Sequence, residues 1–360
     1  MTRRDSLRLA AGGTAGALLG GGAAAPARSA PQETARPGGP LPYTGANLAG
    51  AEFGPKKPGV IPVHGQEYSY PHANEVDYYA SKGMNVFRIP FHWEAMQHQV
   101  RQPLVPEELA RLKEIVAAIT SRGLIAILDP HNYARFHGKT IGSPEVTAAD
   151  FAHFWEQLSG EFRENERVWL GLMNEPHDMP DRDWLAAANA AVAAIRKTGA
   201  RNLLLVPGNH WSGAHSWVRS SNGEVMLRVE DPLDHYVYDV HQYLDGNSSG
   251  SKPEVVSPTV GVERLRTFAE WCRQHKKKAF LGEFAVAANE EGRVAIRNML
   301  SAMEKDRDVW VGFAWWGAGP RWGEYMFTIE PKNLQDRPQM AYLRPHLQPV
   351  SLAPRAALPP

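Results

Sequence analysis

Short apolar runs alternate with amphipathic stretches along most of this chain. Eight of these runs are five to seven residues long and rich in valine, isoleucine, leucine and aromatic residues, as buried parallel strands are. The pattern predicts strands at Tyr43–Leu48, Asn85–Pro90, Leu124–Pro130, Val168–Asn174, Asn202–Pro207, Tyr236–His241, Ala279–Glu283 and Val311–Trp316.

Between these runs, apolar residues recur every three or four positions, which is the spacing of a helix with one buried face. Helices are predicted at Glu107–Ser121, Asp183–Thr198, Val262–His275 and Val294–Glu304. Eight strands alternating with helices favour one α/β domain, a (β/α)8 TIM barrel. A doubly wound open sheet is the alternative, although no Gly-x-Gly-x-x-Gly follows a predicted strand.

Both ends of the chain differ in composition from its centre. Arg3 and Arg4 precede a short apolar stretch rich in alanine and glycine, which is typical of a twin-arginine signal peptide rather than a membrane anchor. Proline and glycine are frequent on both sides of the patterned region. We expect a signal peptide at 1–27, a linker at 28–40, the barrel at 41–347, a flexible tail at 348–360, and export as a secreted or periplasmic protein.

Charge and composition exclude several classes of function. Lysine plus arginine and aspartate plus glutamate each number 39, so no basic footprint for nucleic acid is present. Cys272 is the single cysteine, which leaves no intrachain disulfide and favours a buried structural thiol. The 14 histidines show no His-Glu-x-x-His pattern, and we assign neither metal nor cofactor.

Polar and aromatic residues stand where the predicted strands end. Ionised carboxylates rarely lie beside a core unless they are used or paired, yet Glu175 and Glu283 each follow an apolar run. Two such carboxylates fit a retaining glycoside hydrolase, in which one protonates the leaving oxygen and the other attacks the anomeric carbon. The remaining strand-end residues are Arg88, Asp129, His131, Asn132, Asn174, His241, Tyr243, Trp315 and Trp316.

The span from Tyr43 to about Leu343 resembles family-5 glycoside hydrolases, and most of all their endo-β-1,4-glucanase (cellulase) subgroup. The resemblance implies a β-glucan substrate, no membrane anchor after signal removal and, by default, a monomer. It rests on Gly45-Ala46-Asn47-Leu48-Ala49-Gly50, Phe87-Arg88-Ile89-Pro90-Phe91, Leu128-Asp129-Pro130-His131-Asn132-Tyr133-Ala134-Arg135, Asn174-Glu175-Pro176-His177, His241-Gln242-Tyr243-Leu244-Asp245, Leu281-Gly282-Glu283-Phe284 and Trp316-Gly317-Ala318-Gly319.

By that resemblance Glu175 is the acid/base and Glu283 the nucleophile. Arg88 and Tyr243 supply a positive charge and a hydroxyl donor that keep the nucleophile ionised. Asn174 hydrogen-bonds the 2-hydroxyl of the reacting sugar. The two carboxyl groups of a retaining enzyme should lie about 5–5.5 Å apart.

The other residues of the expected site hold the sugar. His131 and His241 bind hydroxyls and orient the carboxylates, while Trp316 is the floor on which the reacting sugar stacks. Further out, loop aromatics either line neighbouring subsites or pack on one another: Tyr133, Trp211, Trp217, Trp322 and Tyr325.

Two alternatives stay open at this stage. The same machinery serves mannan, xyloglucan and mixed-linkage β-glucan, which differ in how subsites treat an axial 2-hydroxyl or a side branch. A non-catalytic sugar-binding barrel is the alternative from another class of function. The presence of both glutamates weighs against it.

Overall fold

The apolar runs form eight strands that pair in chain order and close where the last meets the first. The computed structural model describes residues 39–54 and 59–350. Every pairing in the barrel is parallel, which confirms the predicted (β/α)8 barrel over the open sheet. The strands are β1 Tyr43–Leu48, β2 Val86–Phe91, β3 Ile125–Pro130, β4 Val168–Gly171, β5 Leu204–Pro207, β6 Tyr236–His241, β7 Ala279–Glu283 and β8 Trp310–Ala318.

Helices cover the outside of the barrel and connect successive strands. The α-helices are α1 Ala73–Ser81, α2 Trp93–Met96, α3 Pro106–Thr120, α4 Ala148–Phe162, α5 Asp181–Lys197, α6 Asn222–Val225, α7 Val260–Gln274, α8 Glu290–Lys305 and α9 Pro338–Leu343. Short 3-10 turns lie at His210–Ser212, Ala214–Ser216, Met226–Arg228, Pro320–Trp322 and Arg344–His346. An antiparallel hairpin, Arg135–Phe136 with Lys139–Thr140, lies in the loop after β3.

The barrel interior changes from apolar to polar along the strands. Val86 and Ile127 belong to an apolar cluster inside the barrel. Side chains of a strand alternate between its two faces, so Arg88 and Asp129, two residues further on, face the same interior. Asp239 on β6 is buried at the same height, two residues after the interior Val237. The carboxyl ends of the strands therefore enclose a layer of charged side chains above an apolar base.

Helix ends are defined by local chemistry. Thr147 and Asp150 form a capping box at the start of α4, and the Asn289 side chain accepts a hydrogen bond from Gly292 N at α8. Both satisfy backbone donors that a helix leaves unpaired at its first turn. Pro106 begins α3, where a missing N–H is no loss.

The predicted signal peptide lies outside the described residues, as do residues 28–38 of the linker and 351–360 of the tail. The domain boundaries therefore stay a prediction. Within the described ranges, no helix has the length and apolar character needed to cross a bilayer. Cys272 is buried in α7, in line with a structural thiol.

Candidate active site

Arg88 of β2 is the hub of the polar layer. Its guanidinium donates to Asn47 Oδ1 at 2.8 Å and to Asn174 Oδ1 at 2.8 Å, and it contacts Asp129 Oδ2 at 3.0 Å and Glu283 Oε1 at 3.0 Å. Burial alone would lower the pKa of Arg88, but the neighbouring carboxylates outweigh it and raise that pKa. A buried cation held by several carboxylates keeps its charge.

Glu283, at the end of β7, is held by two donors. Arg88 contacts Oε1, and the Tyr243 hydroxyl donates to Oε2 at 2.8 Å. Asn47 donates to the carbonyl of Gly282, one residue earlier, at 2.9 Å. Both carboxylate oxygens are therefore fixed in position.

Glu175 lies across the cleft from Glu283 and contacts a histidine. His241 Nδ1 is 2.7 Å from Glu175 Oε1 and 3.6 Å from Glu283 Oε2. The backbone of Glu175 has φ 40°, a left-handed conformation that non-glycine residues rarely adopt. Such strain persists only where the surrounding structure imposes it, and it is concentrated at functional sites.

The carboxyl groups of the two glutamates lie close together, with His241 beside them. One ligand-capable atom each from Glu175, His241 and Glu283 lies within 4.8 Å of the others. Inverting enzymes keep their carboxyl groups about 6.5–9.5 Å apart to admit a water molecule, whereas retaining enzymes need about 5–5.5 Å. The trio has the composition of a cation site, but His241 Nδ1 and Glu175 Oε1 already share a hydrogen bond. We therefore assign these residues to proton chemistry.

Asn174 presents an unused donor. Its Oδ1 accepts from Arg88, and its main-chain N donates to Pro130 O at 2.9 Å. Its buried Nδ2 has no hydrogen-bond partner among the residues that the structure describes. Because a buried donor without a partner is costly, this amide is suited to a hydroxyl of a bound sugar.

Trp316 and His131 form one wall of the site. Their rings are stacked, with centroids 5.3 Å apart and planes 14° apart. Asp129 Oδ2 is 2.8 Å from His131 Nδ1 and fixes that ring. Trp315, the other tryptophan of the pair, is fully buried and donates to Phe327 O. Trp316 is thus the one beside the site.

Two buried aspartates beneath the glutamates have raised pKa values. Burial raises the pKa of Asp129 to about 6, although Arg88 and His241 lower it. Burial also raises the pKa of Asp239 to about 7; Arg88 lowers it, and Asp129 and the two glutamates raise it further. The site therefore contains more carboxyl groups than cations to neutralise them.

The predicted loop aromatics divide into two groups. Trp211 stacks on His177 with centroids 3.5 Å apart and lies edge-on to Tyr133, beside the cleft. Trp322 lies edge-on to Trp316 and stacks on Tyr325 of the same loop.

Trp217 differs from these residues, and of the two alternatives left open by the sequence it takes the one in which the ring packs on other aromatic side chains. It is fully buried and packs against Tyr238, Phe268 and Trp271. A tryptophan in a loop is still core when the loop folds back over a helix.

The eight residues chosen from the sequence converge at the carboxyl ends of the strands. Two further residues join them. Asn47 holds Arg88, and Asp239 lies beneath Glu283. The alternation of Val237, Asp239 and His241 in β6 is the signal that could have found Asp239, because residues two apart share a face. The eight are Arg88, His131, Asn174, Glu175, His241, Tyr243, Glu283 and Trp316.

Comparison with known proteins agrees with this geometry. Residues 46–319 match the family model described as cellulase (glycosyl hydrolase family 5). Endo-beta-1,4-glucanase B of Aspergillus niger is 40% identical over 293 residues, which is 81% of this chain and 86% of that protein.

Solved structures show the same similarity. XacCel5A in complex with cellopentaose superposes with a TM-score of 0.82 at 43% identity, covering 85% of this chain and 99% of that one. Endoglucanase Cel5A of Pseudomonas stutzeri in complex with cellobiose gives a TM-score of 0.78 at 34% identity, covering 90% and 99%.

Proposed function

The chain belongs to the cellulase family, glycosyl hydrolase family 5, and from that premise we propose that it is a retaining endo-β-1,4-glucanase of cellulose-type chains. Glu175 is the acid/base and Glu283 the nucleophile. The observation that carries this assignment is the unequal surroundings of the two glutamates. Glu283 contacts a guanidinium and a phenol, whereas Glu175 contacts an imidazole.

In the first step Glu283 attacks the anomeric carbon while Glu175 gives its proton to the leaving oxygen. The permanent charge of Arg88 and the Tyr243 hydroxyl favour the ionised nucleophile. The negative charge on Glu283, within 4.8 Å, in turn favours a protonated Glu175. The covalent glycosyl-enzyme neutralises Glu283 and removes that repulsion.

In the second step Glu175, now ionised, takes a proton from water, which attacks the same carbon and releases Glu283. His241 Nδ1, placed between the two carboxylates, orients Glu175 through both steps. The Nδ2 of Asn174 donates to the 2-hydroxyl, a hydrogen bond that strengthens as charge develops on the sugar ring. Trp316 supplies the flat apolar surface beneath the ring.

The substrate assignment rests on the relatives. Aspergillus niger endo-beta-1,4-glucanase B and the cellopentaose-bound XacCel5A are similar over more than four fifths of this chain. We therefore infer β-1,4-glucan as the substrate. Release of reducing sugar and loss of viscosity on carboxymethyl-cellulose, barley glucan, xyloglucan and mannan would test it. Activity on mannan alone would keep the mechanism and replace the substrate.

Glutamine variants separate the two roles. Glu175→Gln should lose turnover on cellulose. On an aryl cellobioside whose leaving group needs no proton it should keep kcat/KM but lose kcat, because the general base of the second step is missing, and azide should restore kcat by forming the β-azide. Glu283→Gln should lose turnover on both substrates by about 10³-fold or more. Glu75→Gln, a buried glutamate outside the site, is the matched control and should retain activity. An equal loss of kcat/KM on both substrates for Glu175→Gln would contradict the assignment of Glu175 as the acid/base.

A further inference from the structure

Asp239 is a buried carboxyl that the reaction described above does not use. It lies on β6, two residues before His241, and is 2% exposed. Its Oδ1 has no hydrogen-bond partner among the residues that the structure describes. A buried carboxylate oxygen without a donor disfavours the charged form of the group, whereas the neutral acid is tolerated. The surroundings therefore favour a proton on this group.

Asp239 lies directly against the strand that carries the nucleophile. A Cβ placed on Gly282 would be 2.1 Å from Asp239 Oδ1, so the carboxyl fills the space that a side chain at position 282 would need. Gly282 immediately precedes Glu283. Any charge on Asp239 is therefore close to the catalytic pair and in the same dry interior.

The charged groups around Asp239 come from four other elements of the barrel. They are Arg88 of β2, Asp129 of β3, Glu175 after β4 and Glu283 of β7. On its own strand, His241 contacts Glu175. Four carboxyl groups thus surround one arginine, and such a cluster retains protons that its members share as a coupled system.

Resting on the proposed function, we propose that Asp239 is a positioning residue for the proton of the acid/base. It holds a proton beneath the two glutamates and releases it to solvent before Glu175 does. The negative charge that remains on Asp239 then keeps the proton on Glu175. The enzyme therefore stays active at higher pH than it would with a neutral residue at this position.

The pKa of Asp239, raised by burial to about 7, places its titration where this effect would be felt. Below that pH Asp239 is neutral and adds no repulsion. Above it, the new negative charge opposes the loss of a second proton from the same cluster. The sign follows: removing the ionisable group lets Glu175 lose its proton at lower pH.

Asp239→Asn tests this. The variant keeps the shape of the side chain and removes its charge, so the alkaline limb of kcat/KM should move to lower pH by about one pH unit. The limb is read relative to each enzyme's own plateau of kcat/KM at mildly acidic pH, where Asp239 of the parent is neutral as well. Asp239→Ser is a second neutral variant in case the amide folds poorly.

Glu75→Gln is the matched control. Burial raises the pKa of Glu75 to about 7 as well, but this group lies at the start of α1, so its removal should leave the alkaline limb in place. An alkaline limb for Asp239→Asn that coincides with that of the parent, or moves to higher pH, would overturn the proposal. The proposed roles of Glu175 and Glu283 would survive that result, since they depend on their own glutamine variants.

Discussion

At the scale of the residue, the site is a set of side chains that fix one another. Arg88 joins Asn47, Asn174, Asp129 and Glu283 in one buried network. A buried ion pair adds little net stability, but removing one partner leaves an uncompensated charge. Replacement of any single member should therefore affect the position of the others, so a test of one member's role must separate its contact with the sugar from its support of the network.

Asn174 offers such a test through its unused Nδ2. Asn174→Ala should lower kcat/KM on an aryl cellobioside by about 100-fold, ~2.7 kcal/mol of transition-state stabilisation. On the 2-deoxy analogue the loss should be much smaller, because the partner hydroxyl is already missing. Steady-state kinetics of the parent and of Asn174→Ala on both substrates measure the coupling between the Asn174 amide and the 2-hydroxyl.

Asn202→Ala is the matched control for this cycle. Asn202 is also buried, but it donates to main-chain carbonyls at the start of the strands. Its removal should lower the free energy of unfolding and leave the ratio between the two substrates unchanged. An equal loss on both substrates for Asn174→Ala would mean that the amide only supports Arg88.

Sequence reasoning found the residues whose chemistry stands out at strand ends, such as Glu175 and Glu283. It missed Asp239, because only the residues at strand ends were considered, although the alternation with Val237 and His241 places this carboxyl on the interior face. What makes Asp239 unusual is the convergence of five strands on one point, and that convergence exists only in the closed barrel. For Trp217 the sequence left a subsite role and a packing role open, since exposure of a loop side chain is decided by tertiary packing.

At the scale of the element, each barrel strand must carry small residues where neighbours approach. Gly45 lies so close to β2 that a Cβ would be 1.6 Å from Val86 O. Gly312 of β8 lies close to Tyr43 in the same way, and a Cβ there would clash with Tyr43 O. These contacts set the register of β1 between its two neighbours. The sequence predicted all eight strands because apolar runs are long enough to recognise. It left α4 unpredicted, although α4 buries one clear face.

Gly282 of β7 should be the glycine most closely tied to activity. Gly282→Ala would place a methyl group 2.1 Å from Asp239 Oδ1. The shifts that this overpacking forces on the neighbouring atoms should lower the free energy of unfolding by about 1–3 kcal/mol. Displacement of the adjacent Glu283 should reduce kcat by about 100-fold, since small errors of position are costly in catalysis. Thermal unfolding and turnover measured together check both effects.

Gly160 is the control for that substitution. It lies within α4 with open space where a Cβ would go, so Gly160→Ala should stabilise the protein by about 0.5–1 kcal/mol and leave turnover unchanged. A Gly282→Ala enzyme with the parent's kcat would show that β7 tolerates the shift.

At the scale of the whole molecule, the two ends of the described chain meet at the amino-terminal side of the barrel. Gln348 donates to Leu41 O at 3.1 Å, and the Arg307 guanidinium donates to Gly39 O at 3.0 Å. His346 is fully buried, with its Nδ1 2.8 Å from Glu304 Oε1 on α8. The segment after α9, through Gln348, is thus part of the folded domain.

Two truncations test how far the folded domain extends. A chain of residues 39–350 should fold and retain the parent's kcat, because it keeps every contact just described. A chain of residues 39–343 lacks His346 and leaves Glu304 buried with one polar contact fewer. Leaving this buried carboxyl without its hydrogen-bond partner should destabilise the domain by about 3 kcal/mol.

For a domain of this size, that loss corresponds to a fall in the unfolding midpoint of about 5–10 °C. His346→Asn in the 39–350 chain separates the pair from the rest of the segment, and it should account for much of the fall. Equal midpoints for the two truncated chains would place the edge of the fold at α9. Because the charged layer lies at the opposite end of the barrel, the pH dependence of turnover should be the same in both chains at a temperature where both are folded.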